Sequence, residues 1–75
     1  MQYYERIRAI REDSDLSQDF IATNVLRIGQ KTYSDYELNR TRIPIDAIMK
    51  LARYYDVSMD YITGASNEKR PFPQR

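Results

Sequence analysis

The apolar side chains of this sequence recur at three- and four-residue spacing, in short segments that polar residues separate. In the first segment Tyr4, Ile7 and Ile10 follow that spacing, with charged residues between them. A period of about 3.6 residues collects side chains on one face of an α-helix, whereas a half-buried strand alternates at every second residue. No segment carries a competing strand pattern. The sequence therefore predicts an all-α fold of short amphipathic helices.

Five helices with brief connectors are predicted, and residues that favour helix ends mark several of their boundaries. Ser17 and Ser58 are favourable N-cap residues, and Gly64 suits the left-handed position that ends a helix. Pro44 disfavours helix in the residue before it, so the segment from Asn39 onward is predicted to be a loop. The predicted helices run from Tyr3 to about Asp13, from Ser17 to an end near Asn24 to Leu26, from Gln30 to Leu38, from Ile45 to about Tyr55, and from Ser58 to Ile62.

We expect one domain, residues 1–64, followed by a flexible C-terminal tail, residues 65–75. The basic end of that tail is either simply solvated or an arm that touches DNA or a partner. The expected inner face of the fourth helix consists of Ile45, Ile48, Leu51 and Ala52. Tyrosine packs its ring and keeps its hydroxyl near water, so most tyrosines are expected in the core or half-buried. Those tyrosines are Tyr4, Tyr33, Tyr36, Tyr54 and Tyr61, and the candidate surface tyrosines are Tyr3 and Tyr55.

The residue types missing from the sequence exclude many catalytic and metal sites. Cysteine and histidine are both absent, which excludes a disulfide, a Cys- or His-ligated zinc ion and a Ser-His or Cys-His nucleophile pair. The two glycines, Gly29 and Gly64, are too far apart for a phosphate-binding loop. A helical domain of this size also has little room for a water-excluding pocket. We therefore expect no enzyme, no metal and no cofactor.

The charges are nearly balanced but unevenly placed. Twelve basic and 11 acidic residues give a net charge of +1, which argues against a wholly basic nucleic-acid coat protein but permits a local positive face. Acidic residues crowd residues 12–19, whereas residues 27–42 carry more basic ones. The longest apolar runs have three residues, against about 20 for a membrane span, and the first residues do not resemble a signal peptide. We expect a cytoplasmic protein that does not contact a membrane.

The third predicted helix carries a polar row along one side. On a helical wheel, Gly29, Thr32, Tyr33 and Tyr36 fall on one side, and the other side consists of Gln30, Lys31, Ser34, Asp35 and Leu38. Hydrogen-bonding side chains near a helix N-terminus are what reading the major groove requires, because each base pair presents its own donor and acceptor pattern there. A solvated polar face, which most surface helices have, is the alternative interpretation.

Five blocks of residues together resemble the sequence of a known family. They are Leu16-Ser17-Gln18, Ile21-Ala22, Ile28 to Glu37, Ile43 to Ala52, and Tyr54 to Gly64. In these blocks the chain resembles the Cro/lambda-repressor type of helix-turn-helix regulator, the XRE family, over roughly residues 3–64. The block from Pro44 to Gly64 is specific to the family but structural, and the DNA-reading block is shorter and looser. The resemblance implies a compact five-helix domain in which the second and third helices form the helix-turn-helix.

The resemblance also implies roles for matching residues. Gln30, Lys31 and Asp35 match the main base-facing positions, with Ser34 beside them. Gln18 matches a position that contacts phosphate and supports the third helix. The other residues implied to hold the DNA backbone are Thr32, Asn39, Arg40, Thr41 and Arg42. Arg11 and Glu37 match a pair that bridges the first and third helices, which we interpret as structural. The chemistry agrees, because glutamine can pair with adenine, lysine can donate to guanine, and arginine can hold phosphates.

Two features depart from the family pattern. One extra residue stands between Ala22 and Tyr36, and the turn lacks its customary glycine, in whose place stands Leu26 or Arg27. Either the second helix runs longer or the turn is wider. The other departure is the acidic Asp35 on the reading face, which could accept from a cytosine amino group or could repel phosphate and so sharpen specificity.

The sequence thus predicts a sequence-specific regulator of transcription that binds double-stranded DNA, in particular a repressor of bacterial or mobile-element type. One reading helix covers only a few base pairs, so a homodimer is expected, either in solution or only on DNA. The candidate dimer contacts are Met59 and Ile62, which are expected to be exposed apolar groups of the fifth helix, with Phe72 as an additional candidate. The alternative function is a protein-interaction module, such as an antitoxin or anti-regulator, that uses the same fold to bind a protein partner.

Overall fold

The computed structural model describes residues 2–64, and this part of the chain contains helices and no strand. Helix α1 is Tyr3–Asp13, α3 is Gln30–Glu37, α4 is Ile45–Tyr55 and α5 is Met59–Thr63. Helix α2 begins as Gln18–Phe20 and continues directly as a π-helical segment, Ile21–Leu26. The all-α fold is confirmed, and each helix ends within about one residue of its predicted position.

Each helix contributes one large, fully buried side chain to a single core. These residues, in chain order, are Ile7, Ile21, Tyr33, Leu51 and Ile62. Their neighbours in the core come mainly from the same helix faces, as the apolar spacing predicts. Near this core the guanidinium of Arg6 on α1 lies 4.1 Å above the ring of Tyr61 on α5, which joins the first and last helices. No helix within residues 2–64 is long and apolar enough to cross a lipid bilayer.

Most helices of this domain end in a residue with left-handed backbone. Asp15, Asn39 and Asp56 adopt φ values of 57–59° after α1, α3 and α4, and in each case the next amide donates to a carbonyl five residues back. Aspartate and asparagine tolerate this conformation better than other non-glycine residues do. Gly64 ends α5 in the same region, with φ 88°. At the N-termini, the hydroxyls of Ser17 and Ser58 each accept an amide N–H at 3.0 Å, as predicted.

The π-helical segment of α2 determines which of its side chains reach the core. On an α-helix, two residues five apart lie about 140° from each other, yet Ile21 and Leu26 are both buried. A π-helix closes its hydrogen bonds after five residues and so returns Leu26 to the face that Ile21 occupies. Arg27 then takes the left-handed conformation, with φ 57° and ψ 49°, and the amide of Ile28 donates to the Ala22 carbonyl at 2.9 Å. The second helix therefore ends at Leu26, the last of the residues at which it was predicted to end.

Several expectations about burial are wrong. Ile45, expected on the inner face of α4, is 60% exposed, because α4 starts beyond the edge of the core and Ile43 in the preceding loop is buried instead. Tyr54 is exposed, whereas the candidate surface residues Tyr3 and Tyr55 are half-buried, the reverse of what was expected. Tyr55 lies four residues after Leu51 and so continues the buried stripe of α4, whereas Tyr54 points about 100° away from it. The predicted tail, residues 65–75, lies outside the described residues.

Candidate nucleic-acid interface

The first turn of α3 presents polar side chains to solvent. Gly29 is the N-cap of α3, and the three residues that follow it, Gln30, Lys31 and Thr32, are all exposed. Tyr33 on the opposite side is fully buried, and so Gln30 and Lys31 point away from the core. The wheel placed Thr32 on the inner side, but it borders that side and stays exposed. An exposed polar helix N-terminus, opposite a buried aromatic side chain that packs the helix on the core, is suited to enter a groove.

Further along α3, Ser34 and Asp35 are half-buried rather than exposed. The Asp35 carboxylate faces two cations: Lys31 Nζ lies 3.4 Å from Oδ2, and Arg40 Nη1 lies 4.0 Å from Oδ1. The structure therefore brings one acidic group and two basic groups of the predicted site together at one corner of α3. The four-residue separation of Lys31 and Asp35 is a spacing that favours ion pairs on a helix, so this contact could have been read from the sequence.

The loop after α3 carries the predicted backbone-binding residues. Arg40, Thr41 and Arg42 are exposed, and the amides of Arg40 and Thr41 donate to the Asp35 carbonyl at 2.9 and 3.3 Å. Asn39 is exposed, and its side-chain oxygen accepts a hydrogen bond from the Tyr3 hydroxyl at 3.3 Å. That contact with α1 was not predicted, and spacing cannot reveal it because 36 residues separate the partners. The first residues of the loop are thus fastened to α3 and α1, and the side chains of Arg40 and Arg42 are exposed.

A hydrogen-bonded network around Glu37 holds α3 in place. Arg11 donates to both carboxylate oxygens of Glu37, at 2.7 and 3.0 Å, and also to the Leu16 carbonyl at 2.8 Å. Gln18 Nε2 donates to the same carboxylate at 3.0 Å. The network therefore ties α1 and the start of α2 to the end of α3. Gln18, for which phosphate contact was implied as well as support of α3, is half-buried and makes the supporting contact.

The ionisation of this network is set by its surroundings. Burial opposes the charge on Glu37, but hydrogen bonds from Arg11 and Gln18 outweigh it and hold the pKa of the carboxyl below its ordinary value. The Glu37 carboxylate in turn raises the pKa of Arg11, although burial of the guanidinium opposes this. Burial and the nearby carboxylate raise the pKa of Tyr33, and burial raises that of Tyr55. At neutral pH the pair is ionised and both tyrosines are neutral.

The candidate dimer contacts fall into three situations. Ile62 was expected to be an exposed apolar group and this is wrong, because α5 packs against both α1 and α4 and buries Ile62 completely. Met59 is half-buried and lines an open cleft of about 390 Å³ between α4 and α5, together with Met49. Exposed Ile45 stands one turn before Met49 on α4. Phe72 lies outside the described residues.

Comparisons with known proteins agree with this geometry. A helix-turn-helix family model matches residues 7–62, which include all five helices apart from the ends of the first and last. Two proteins of Bacillus subtilis (strain 168) are similar along most of the chain. One, described as "Uncharacterized HTH-type transcriptional regulator YobD", is 34% identical over 73 residues, which cover 97% of this chain and 64% of that protein. The other, "HTH-type transcriptional regulator AnsR", is 29% identical over 70 residues, covering 93% of this chain and 60% of that protein.

The chain thus spans less than two thirds of the length of these curated relatives. No solved structure matches the sequence significantly. The family model nevertheless covers most of the chain, residues 7–62. The resemblance to Cro/lambda-repressor regulators is therefore confirmed, and the chain belongs to the XRE type of the helix-turn-helix family.

Proposed function

We propose that this protein is a regulator of transcription that binds double-stranded DNA at specific sequences and reads the major groove with α3. The observation that carries the proposal is the exposed polar first turn of α3, with Gln30 and Lys31 pointing away from buried Tyr33. Family membership and two relatives described as transcriptional regulators support it. The proposal includes no catalytic activity.

Each exposed group suits a particular part of DNA. Gln30 can make two hydrogen bonds to adenine, and Lys31 can donate to the acceptors of guanine. Arg40 and Arg42, exposed in the loop after α3, can hold phosphates on the flanking backbone. The network around Glu37 fixes α3 against α1 and α2, so that these side chains enter the groove from a rigid platform. We assign base reading to α3 and backbone contact to the loop.

A second copy of the chain is part of the proposal. One recognition helix reads only a few base pairs, and paired half-sites about 34 Å apart allow two copies to bind together. The cleft between α4 and α5, with Met49 and Met59 in its lining and Ile45 beside it, is the apolar surface we assign to that contact. Met49→Lys should reduce the protected DNA from two half-sites to one, whereas Ser14→Lys, at the exposed residue that follows α1, should leave both protected.

The proposal is tested by selecting bound sequences from a pool of random duplexes and then measuring affinity at several salt concentrations. A recurrent, symmetric sequence motif and an affinity that falls steeply with salt are expected, because cations on the protein displace counterions from phosphates. Gln30→Ala should abolish the base preference at one position of the DNA site, and Lys31→Ala should abolish it at a neighbouring position. Each substitution should remove about 1–3 kcal/mol of discrimination between bases at its position. Arg8→Ala on α1 is the charge-matched control for Lys31→Ala. Enrichment of no motif, or unchanged base preferences in both variants, would contradict the assignment.

A further inference from the structure

The carboxylate of Asp35 lies between two cationic side chains that are proposed to bind DNA. Lys31 Nζ is 3.4 Å from one carboxylate oxygen and Arg40 Nη1 is 4.0 Å from the other. The side chains of Lys31 and Arg40 are 84% and 68% exposed, whereas that of Asp35 is only 20% exposed. The cations can therefore swing away toward a ligand, but the carboxylate stays where it is.

The backbone fixes this arrangement. The Asp35 carbonyl accepts the amides of Arg40 at 2.9 Å and Thr41 at 3.3 Å, which folds the loop back onto the end of α3. Asn39, with φ 59°, provides the left-handed turn that this requires. The loop arginine is thus brought back beside a residue one turn after Lys31, and the three charged groups are held at one corner of the reading face.

We propose that Asp35 is a specificity-determining residue that pairs with Lys31 and Arg40 in the free protein and so makes their release a cost of binding any DNA; this inference rests on the proposed function. Contact with DNA draws both cations away from the carboxylate and brings the carboxylate toward phosphates of the same charge. This electrostatic cost lowers the affinity for every duplex, whatever its sequence. Only a site that places a donor opposite Asp35, such as the amino group of cytosine, returns a hydrogen bond to the carboxylate.

Asp35 therefore improves discrimination by weakening the wrong complexes rather than by strengthening the right one. Lysine and arginine bind phosphates of any sequence, so two unrestrained cations would raise affinity for all DNA alike. With Asp35 present, the protein loses two ion pairs when it binds a mismatched duplex, and the carboxylate gains no new partner. The base opposite Asp35 is accordingly expected to be a cytosine in selected sites.

The test compares wild type with Asp35→Asn, measuring fluorescence anisotropy with a random-sequence duplex and with the selected site over a range of salt. Asparagine keeps the shape and an acceptor oxygen but removes the charge. Affinity for the random duplex should rise about 2- to 30-fold, the amount expected from two exposed ion pairs. The salt dependence should steepen by up to about 0.9 in log–log slope for each released cation. The ratio of specific to random affinity should fall.

A matched control and a double substitution separate this mechanism from a general charge effect. Glu12→Gln removes the same charge from another pair at four-residue spacing, in which Arg8 Nε lies 3.2 Å from Glu12 on α1. It should change random-duplex affinity less than twofold. In a Lys31→Ala, Arg40→Ala background, Asp35→Asn should produce a much smaller gain, because the restrained cations are gone.

Three results would overturn the inference. The first is an Asp35→Asn gain no larger than that of Glu12→Gln. The second is an undiminished gain in the background without both cations. The third is a loss of affinity for every duplex, with thermal unfolding unchanged from wild type. If wild type binds no duplex at all, the proposed function itself fails, and that outcome is seen before any variant is compared.

Discussion

Arg27 provides a direct test of how the second helix ends. Four non-glycine residues of the described chain have positive φ, and the other three are aspartate or asparagine. Arg27 has φ 57° and ψ 49°. For an L-residue of this kind the left-handed conformation costs roughly 1–2 kcal/mol, which glycine does not incur. Arg27→Gly should therefore remove that cost from the folded state.

The expected gain is smaller than the strain, because glycine also makes the unfolded chain more flexible. That effect destabilises the folded state by roughly 0.4–1 kcal/mol relative to a residue with a side chain. The difference leaves Arg27→Gly more stable than wild type by about 0.5–1 kcal/mol. For a domain of this size the midpoint of thermal unfolding should rise by about 2–8 °C. Circular dichroism during heating and during urea unfolding measures both quantities.

Two further substitutions identify the source of any change. Arg27→Ala removes the charged group but keeps the Cβ atom, so its stability should remain close to that of wild type. Asp56→Gly changes a residue of almost the same backbone angles, φ 57° and ψ 50°, that tolerates them better, and its gain should be smaller. A variant Arg27→Gly that is no more stable than wild type would refute the reasoning, as would an equal gain from Arg27→Ala.

Two other predictions concern DNA affinity and acid stability. Replacing Arg40 and Arg42 with alanine should weaken binding to all duplexes alike and reduce the log–log salt slope by about 0.9 per lost phosphate contact; an unchanged slope would remove them from the interface. Glu37→Gln should destabilise the fold by about 3 kcal/mol, because it leaves a buried arginine without its counter-charge. Since the folded pKa of Glu37 lies below its ordinary value of 4.5, its stabilisation is complete above that pH and is lost as pH falls through the folded pKa. Urea unfolding across this pH range should therefore show a shallower acid dependence in Glu37→Gln than in wild type.

Local sequence patterns were enough to predict the helices of this domain. The spacing of Ile7 with Ile10, and of Tyr33 with Tyr36, identifies faces that are buried in the structure. Ser17 and Ser58 begin their helices as expected, because a serine hydroxyl satisfies an amide that the first turn leaves free. The Arg11–Glu37 pair came from the resemblance to the family rather than from spacing, since 26 residues separate its members.

Burial at the helix edges could not be predicted in the same way. Periodicity shows which face of one helix is apolar, but not how many neighbours cover that face. Ile62 is buried because the five-residue α5 is covered by both α1 and α4. Ile45 is exposed instead, because α4 extends beyond the core at its first residue. The assignment of Tyr54 and Tyr55 was a different kind of error, since the positions of Leu51 and Ala52 already placed Tyr55 on the buried stripe.

The extra residue before the recognition helix shows how a local irregularity can preserve a global register. Without the π-helical segment, either Ile21 or Leu26 would leave the core, or Arg27 and all of α3 would rotate by about 100°. The π-helical turn absorbs one residue in α2 and leaves Tyr33 buried and Gln30 exposed. The segment is therefore interpreted as a way to retain an insertion, with no role of its own in base reading.

That interpretation predicts the effect of shortening α2 by one residue. Deleting Asn24, which is exposed in the π-helical segment, leaves Leu26 four positions after Ile21, where an ordinary α-helix returns it to the same face. The shortened protein should fold with at least wild-type thermal stability, because the more favourable α-helical bonds replace the π-helical ones. Its selected DNA motif should match that of wild type, since Gln30 and Lys31 keep their orientation. A folded deletion variant with altered base preferences would show instead that the π-helical segment sets the angle at which α3 enters the groove.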